Sequence, residues 1–253
     1  MSEANRDERL IEKIKNKNVG KTSYGNHTYS NLWFVCHDNK ICITFTPRGG
    51  CSISMLQYLD LVGLLEDALH YNSFVHLYRC KIFQNNIPYC KIDKLKSENY
   101  TFVKFIINPY IRAVTIFRWQ TSHNLSFREY LKQLTNNKTE YFNNDDKYHY
   151  EQQYIEGEEN YITKYIKINE NEKYTIILND GKPYELDANK YTSCHHGVKN
   201  QQNTKFCGDL ESKIVNNDLP KSYKYFYDDD IKKMVETFYK DDIEKYGFSF
   251  DDF

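Results

Sequence analysis

The stretch from Ile41 to Leu69 constrains this chain more than any other, because its periodicity changes on either side of a glycine pair. Ile41-Cys42-Ile43-Thr44-Phe45 is a short apolar run of β-prone residues, as a buried strand requires. Thr46-Pro47-Arg48-Gly49-Gly50-Cys51-Ser52 follows, and beyond it Ile53, Leu56, Leu59 and Leu64-Leu65 recur at helical spacing towards Leu69. A strand, a glycine loop and a helix in that order aim backbone N–H groups at one point, where the helix dipole adds positive potential. Glycine lets the backbone approach a phosphate closely, Arg48 brings a planar and permanently charged fork of donors, and Ser52 adds a hydroxyl. The Gly-x-x-x-x-Gly-Lys-Ser/Thr spacing of a Mg²⁺-dependent ATPase loop is absent.

The rest of the chain repeats the alternation. Leu32–Cys36 and Ile41–Phe45 flank the turn-forming His37-Asp38-Asn39-Lys40 and predict two strands joined by a tight turn. Thr101–Ile107 predicts a strand, broken by Asn108-Pro109 and followed by a helix over Tyr110–Gln120, with Pro109 suited to its first turn. Ser126-Phe127-Arg128-Glu129 is a capping box that opens a third helix. Thr135–Asp146 reads as a loop or lid, Tyr161–Ile168 as strand or helix, and Tyr174–Leu178 before Asn179-Asp180-Gly181 as half of a hairpin. Residues 187–222 are polar and predict irregular structure. Ile231, Met234-Val235, Phe238-Tyr239 and Ile243 predict one helix running to Gly247, with Asp228 at its dipole's positive end and Asp228-Asp229-Asp230 and Asp241-Asp242 on a solvated face. The fold expected is α/β, a central parallel sheet flanked by helices. Residues 1–28 are expected as a polar N-terminal arm, in which Leu10-Ile11 and Ile14 allow a short amphipathic helix, and 29–253 as a single domain.

Charge narrows the partners. Lys and Arg number 34 against 35 Asp and Glu, so no field of one sign exists to draw nucleic acid or a membrane surface, and neither is expected as a partner. The charged start lacks the apolar core of a signal peptide, and no stretch reaches membrane-spanning length, so a soluble, cytoplasmic protein is expected. Seven cysteines without a Cys-x-x-Cys pair argue for reduced thiols. Cys194-His195-His196 with Cys207 has metal-ligand residue types at a spacing that fits no common zinc pattern, so no metal is expected.

Thr46-Pro47-Arg48-Gly49-Gly50-Cys51-Ser52 resembles the 5′-phosphosulfate-binding loop of sulfotransferases, and carbohydrate sulfotransferases most of all. Lys104-Phe105-Ile106-Ile107-Asn108-Pro109-Tyr110-Ile111-Arg112-Ala113-Val114-Thr115 resembles the segment with which that family grips the 3′-phosphate of its donor. Two further stretches are similar more weakly: His149-Tyr150-Glu151-Gln152-Gln153 to a His-Trp-x-Pro-Gln segment, and the ending from Phe238 to Phe248 to the family's terminal motif. The resemblance implies a P-loop-like fold and sulfuryl transfer from 3′-phosphoadenosine 5′-phosphosulfate to a hydroxyl or amine of a glycan-like acceptor, without a metal. It implies donor binding by Pro47, Arg48, Gly49, Gly50, Cys51, Ser52, Arg112 and Thr115, with Arg48 stabilising the leaving 5′-phosphate and the N–H groups of Gly49 to Ser52 assisting. The acceptor's base is expected to be His76, read as lying on a strand, or else His149. One position departs from the pattern, since Ile107 stands where the family carries its 3′-phosphate arginine. A nucleotide-binding module without catalysis and a P-loop nucleotide phosphoryl transferase are the alternatives.

Overall fold

The computed structural model describes residues 3–24, 32–119, 124–136, 147–168, 172–187, 190–191, 203–216, 220 and 222–252. They form two compact units, one comprising Met1–Ile106 with Glu156–His196, the other Ile107–Ile155 with Gly197–Phe253.

The first unit is built on a mixed five-stranded sheet. Its elements are α1 (Glu3–Lys15), β1 (Val19–Ser23), β2 (Leu32–Cys36), β3 (Ile41–Phe45), α2 (Cys51–Leu61), α3 (Leu65–Tyr71), α4 (Val75–Tyr78), α5 (Ile92–Ser97), β4 (Thr101–Ile106), β5 (Lys164–Lys167) and a separate hairpin of β6 (Lys173–Ile177) and β7 (Pro183–Asp187). The strands lie in the order β1-β2-β3-β4-β5. β3, β4 and β5 are parallel, whereas β1–β2 and β2–β3 are antiparallel, so the wholly parallel sheet expected from the alternation is corrected to a mixed one. For β2–β3 the reason is the short turn at 37–40, which returns the chain beside itself, something a parallel neighbour never permits.

The strands read as continuous apolar runs because both sheet faces are covered. Phe34, Ile41, Ile43, Phe45, Val103 and Phe105 join the cluster that includes residues of α1 to α4, while Trp33, Val35, Cys42 and Phe102 join Leu95 of α5 in another. The period-2 alternation along each strand assigns these sets to opposite faces. The N-terminal stretch is not an arm outside the folded body: Leu10, Ile14 and Val19 are buried in the first cluster, and β1 is an edge strand of the sheet. The hairpin expected after Leu178 is present as β6 and β7, closed by Gly181 at φ 80° and by the Lys182 carbonyl accepting from the Leu178 N–H. Among the described residues of this unit, Lys104 Nζ pairs with Glu158 Oε2 at 2.5 Å, sealed from solvent with side-chain exposures of 3% and 1%.

The second unit is helical among its described residues: α6 (Pro109–Trp119), α7 (Phe127–Thr135), α8 (Lys147–Tyr150), α9 (Ser212–Val215), α10 (Asp229–Phe238) and α11 (Lys240–Tyr246). Asn108 Oδ1 accepts from the Tyr110 N–H (2.9 Å) at the start of α6. Ser126 and Glu129 form the capping box read from the sequence, each side chain accepting from the other's backbone N–H. Phe127, Tyr130, Leu131 and Leu134 recur on one face of α7 and pack with Val114, Phe117, Ile231 and Val235 in a shared core. The single C-terminal helix expected from periodicity is two helices. The chain breaks at Tyr239 (φ −104°, ψ 32°), and Gly247 at φ 65° ends the second. The break exposes a new helix start, where Gln152 Oε1 accepts from the N–H groups of Asp241 (3.0 Å) and Asp242 (3.3 Å). Among the described residues no helix is long and apolar enough to cross a membrane.

Candidate functional site

β3 ends at Phe45 and the chain turns at once: Gly49 N–H donates to the Thr46 carbonyl (2.7 Å). Arg48 lies inside this turn with φ 59°, a left-handed conformation that costs a non-glycine residue about 1 kcal/mol. Gly50 caps α2 with φ 90°. A Cβ at Gly50 would fall 1.8 Å from Ile168 Cδ1, so both the backbone angle and the neighbour require glycine there. α2 leaves the N–H groups of Cys51, Ser52 and Ile53 without intrahelical acceptors, at the end of an eleven-residue helix whose dipole is positive there. The Gly49 N–H, expected among the anion donors, is instead spent on the turn; the donor set begins at Gly50.

Ser52 meets a histidine. Its Oγ lies 3.0 Å from His76 Nε2, although the two are far apart in sequence. The strand expected around His76 is corrected: Val75–Tyr78 is a helical turn continued by a π-helical turn over Arg79–Phe83. A short apolar run is ambiguous between strand and buried helix, and here the contacts of Val75, Tyr78, Ile82 and Phe83 with the first unit's core decide it. His76 is 9% exposed, and Phe74 stands edge-on to it at 5.2 Å between ring centroids.

The second sequence stretch divides. Its strand part lies beside the loop's strand, Thr44 opposite Lys104 and Phe45 opposite Phe105, so β3 and β4 end at the same edge of the sheet. The remainder belongs to the helical unit and is occupied internally. Arg112 is fully buried and donates to the carbonyls of Glu151 (2.5 Å) and His149 (2.9 Å), with Asp242 Oδ2 at 3.9 Å and the Tyr239 ring centroid 5.6 Å from its Cζ. Thr115 donates its hydroxyl to the Ile111 carbonyl one turn back (2.9 Å). Ile107 is held by Gln153, whose side chain accepts from its N–H (3.0 Å) and donates to its carbonyl (2.8 Å). His149 packs its ring against Trp119 at 4.7 Å.

Asp242, expected on a solvated face, is buried and accepts from the Tyr154 N–H (2.6 Å). The segment 149–154 is thus fastened by Arg112, Gln153 and Asp242. Of the candidate metal ligands, Cys194, His195 and His196 lie outside the described residues, as do residues 137–146 of the loop or lid expected over Thr135–Asp146, whose first residue ends α7; Cys207 is buried, its thiol 3.2 Å from the Lys205 carbonyl.

Sequence reasoning missed Arg79. Its Cζ lies 5.5 Å from the centroid of the Phe45 ring, the last residue before the loop. The available signal was its spacing of three from His76, which puts two side chains on one helical face. It also missed Glu158, whose partner is a lysine in a strand otherwise made of apolar residues and threonine.

The chain matches no protein-family model, no curated protein and no solved structure. The fold and the loop define an α/β protein with a mixed central sheet and a glycine turn at the N-terminus of a helix.

Proposed function

We propose that this protein is a sulfotransferase, moving a sulfuryl group from 3′-phosphoadenosine 5′-phosphosulfate to a hydroxyl or amine of a carbohydrate-like acceptor. The observation that carries the reading is the 3.0 Å contact between Ser52 of the glycine loop and His76, because it joins an anion cradle to a group able to take a proton. Arg48 and the N–H groups from Gly50 onward bind the donor's 5′-phosphate and neutralise the charge it gains on leaving. His76 removes the acceptor's proton as the acceptor oxygen or nitrogen bonds to sulfur. The bond from sulfur to the bridging phosphate oxygen breaks, and its electron pair stays on the phosphate. In-line positioning and charge neutralisation do most of the work, as in phosphoryl transfer. His76 is preferred to His149 because it touches the loop.

A binding module without turnover is the second reading. It is favoured by Arg112, whose guanidinium is committed to backbone carbonyls, and by Ile107 at the family's arginine position. A P-loop phosphoryl transferase has no such support.

Sulfation of a mixed oligosaccharide pool separates these readings. Wild type is expected to transfer, Arg48→Ala to lose donor binding and transfer, and His76→Ala to keep stabilisation by 3′,5′-adenosine bisphosphate while losing about 10²–10⁴ in kcat. Equal transfer by wild type and Arg48→Ala refutes the role of the loop. Stabilisation by the bisphosphate without transfer supports the binding module, and stabilisation by ATP with Mg²⁺ alone supports the phosphoryl transferase.

A further inference from the structure

Away from the glycine loop, the sheet unit brings a thiol, an imidazole and a phenol into one chain of contacts. Cys90 Sγ lies 3.5 Å from His37 Nε2, and the other nitrogen of that ring, Nδ1, lies 2.7 Å from the Tyr100 hydroxyl. A nucleophile touching a base, with the base held by a third group, is the arrangement that activates a thiol. The backbone fixes each member. Cys90 N–H donates to the Lys21 carbonyl (2.7 Å) and Lys21 N–H to the Pro88 carbonyl (2.8 Å), which fastens residues 88–90 along β1. His37 follows β2, its N–H donating to the Asn18 carbonyl (2.9 Å), and Tyr100 precedes β4 and stands edge-on to the imidazole at 5.8 Å between ring centroids. Gly20 of β1 leaves the room: a Cβ there would fall 2.7 Å from the Cys90 sulfur and 3.1 Å from His37 Nε2. Glycine weakens a strand, and the close approach of this pair is what requires it. Cys90 is partly exposed, between exposed Tyr89 and Lys91.

We propose that Cys90 is a nucleophilic thiol that His37 deprotonates and that exchanges with small disulfides, with Tyr100 positioning the imidazole. The inference does not rest on the sulfotransferase reading. His37 Nδ1–H donates to the Tyr100 oxygen, which leaves Nε2 without hydrogen and beside the thiol. In the step, Nε2 takes the thiol proton as Cys90 Sγ bonds to one sulfur of the disulfide. The S–S bond breaks, its electron pair leaves with the second sulfur, and that thiolate takes the proton from His37. Cys90 is oxidised to a mixed disulfide and the small disulfide is reduced to one thiol. Burial pushes the His37 imidazole below its ordinary value and the Cys90 thiol above its own, so the resting pair is neutral. The charged groups that bear on it are Asp38, Glu98 and Lys94, and the other titratable neighbours are Cys36, Cys42 and Tyr100. A thiol raised in this way is slow alone, so its rate hinges on the histidine.

Labelling of the folded full chain with 4,4′-dithiodipyridine tests this. Released thiopyridone gives the rate, and peptide masses assign it to each cysteine, with exposed Cys80 as the reference. His37→Gln is expected to slow Cys90 about 10²-fold at pH 7 and to leave Cys80 unchanged. The wild-type rate at Cys90 is expected to be nearly flat between about pH 7 and pH 8.5, where the imidazole is neutral and the thiol protonated. In His37→Gln it is expected to rise about tenfold per pH unit, because only free thiolate then reacts. Tyr100→Phe, which keeps the ring, is expected to lower the rate about tenfold at every pH while keeping the flat profile. Unchanged melting and unchanged Cys80 labelling verify that the variants fold.

Equal Cys90 rates in wild type and His37→Gln, or a tenfold rise per pH unit in both, overturn the proposal. Labelling of Cys90 only in denaturant overturns it as well, by closing the thiol to any disulfide. A Tyr100→Phe rate equal to that of wild type overturns the role given to Tyr100.

Discussion

Two arginines that look alike in sequence have opposite relations to their surroundings. Arg48 is half-buried in the sheet unit, in a left-handed backbone conformation that opposes folding. Arg112 is fully buried in the helical unit on a regular helix, with its charge spread over two carbonyls and a nearby carboxylate. Backbone strain marks the first arginine, and a network of hydrogen bonds that serves the fold marks the second. A motif matches residue types, and it does not register that the Arg112 guanidinium is bonded to two carbonyls of the fold.

The comparison breaks most visibly if Arg112 can be lost cheaply. Arg112→Gln is expected to cost about 3–5 kcal/mol, because it strips two carbonyls of their donor and leaves Asp242 buried without its nearest cation. Denaturant titration measures the loss, and hydrogen exchange of residues 149–154 should accelerate in parallel. A cost below about 1 kcal/mol would return Arg112 to the list of ligand-binding residues.

Gly50→Ala is expected to cost about 2 kcal/mol, since φ 90° and the Ile168 contact both oppose a Cβ. Adding Ile168→Ala should recover the steric part and leave the backbone part, so the double mutant departs from additivity. Additive losses would mean that the loop does not rest on Ile168.

Arg48→Gly sharpens the contrast, for it is expected to raise stability by about 1 kcal/mol while abolishing stabilisation by 3′,5′-adenosine bisphosphate. A stability gain with ligand binding intact would separate the strain from function.

The smallest effect concerns acid. The hydrogen bond from Arg128, with the Ile231 N–H, holds the Asp228 carboxyl below the usual aspartate range, and the Ser126 backbone does the same for Glu129. Both belong to the helical unit. Carboxyls with depressed folded values contribute stability above their unfolded pKa of about 4 and lose it as pH falls through the folded value. Acid titration of wild type against Asp228→Asn should therefore show a shallower stability loss below about pH 4 in the variant; parallel curves would remove Asp228 from the acid response.

Local features were legible in the residues: the β2–β3 turn, the glycine loop and its helix, the β6–β7 hairpin, the Ser126 capping box and Pro109 in the first turn of α6. Each depends on contacts within a few residues, where propensity and turn chemistry act undiluted. Three expectations failed for the opposite reason. The run around His76 is helical because its apolar residues fill a core shared with distant segments, the C-terminal periodicity conceals a break at buried Tyr239, and the N-terminal stretch supplies an edge strand where a free arm was expected. The candidate site was half visible. Arg48, Gly50 and Ser52 lie in one loop, but the residues packed around that loop, His76, Arg79 and Ile168, come from two other segments.

By itself the sequence determined where the chain must turn, cap and pass from strand to helix, because glycine, proline and capping side chains act on their own neighbourhood. Only the tertiary structure decided that Arg112 is spent inside the fold. That depends on which carbonyls and carboxylates arrive from elsewhere in the chain, and burial makes an unpaired charge too costly to leave to chance.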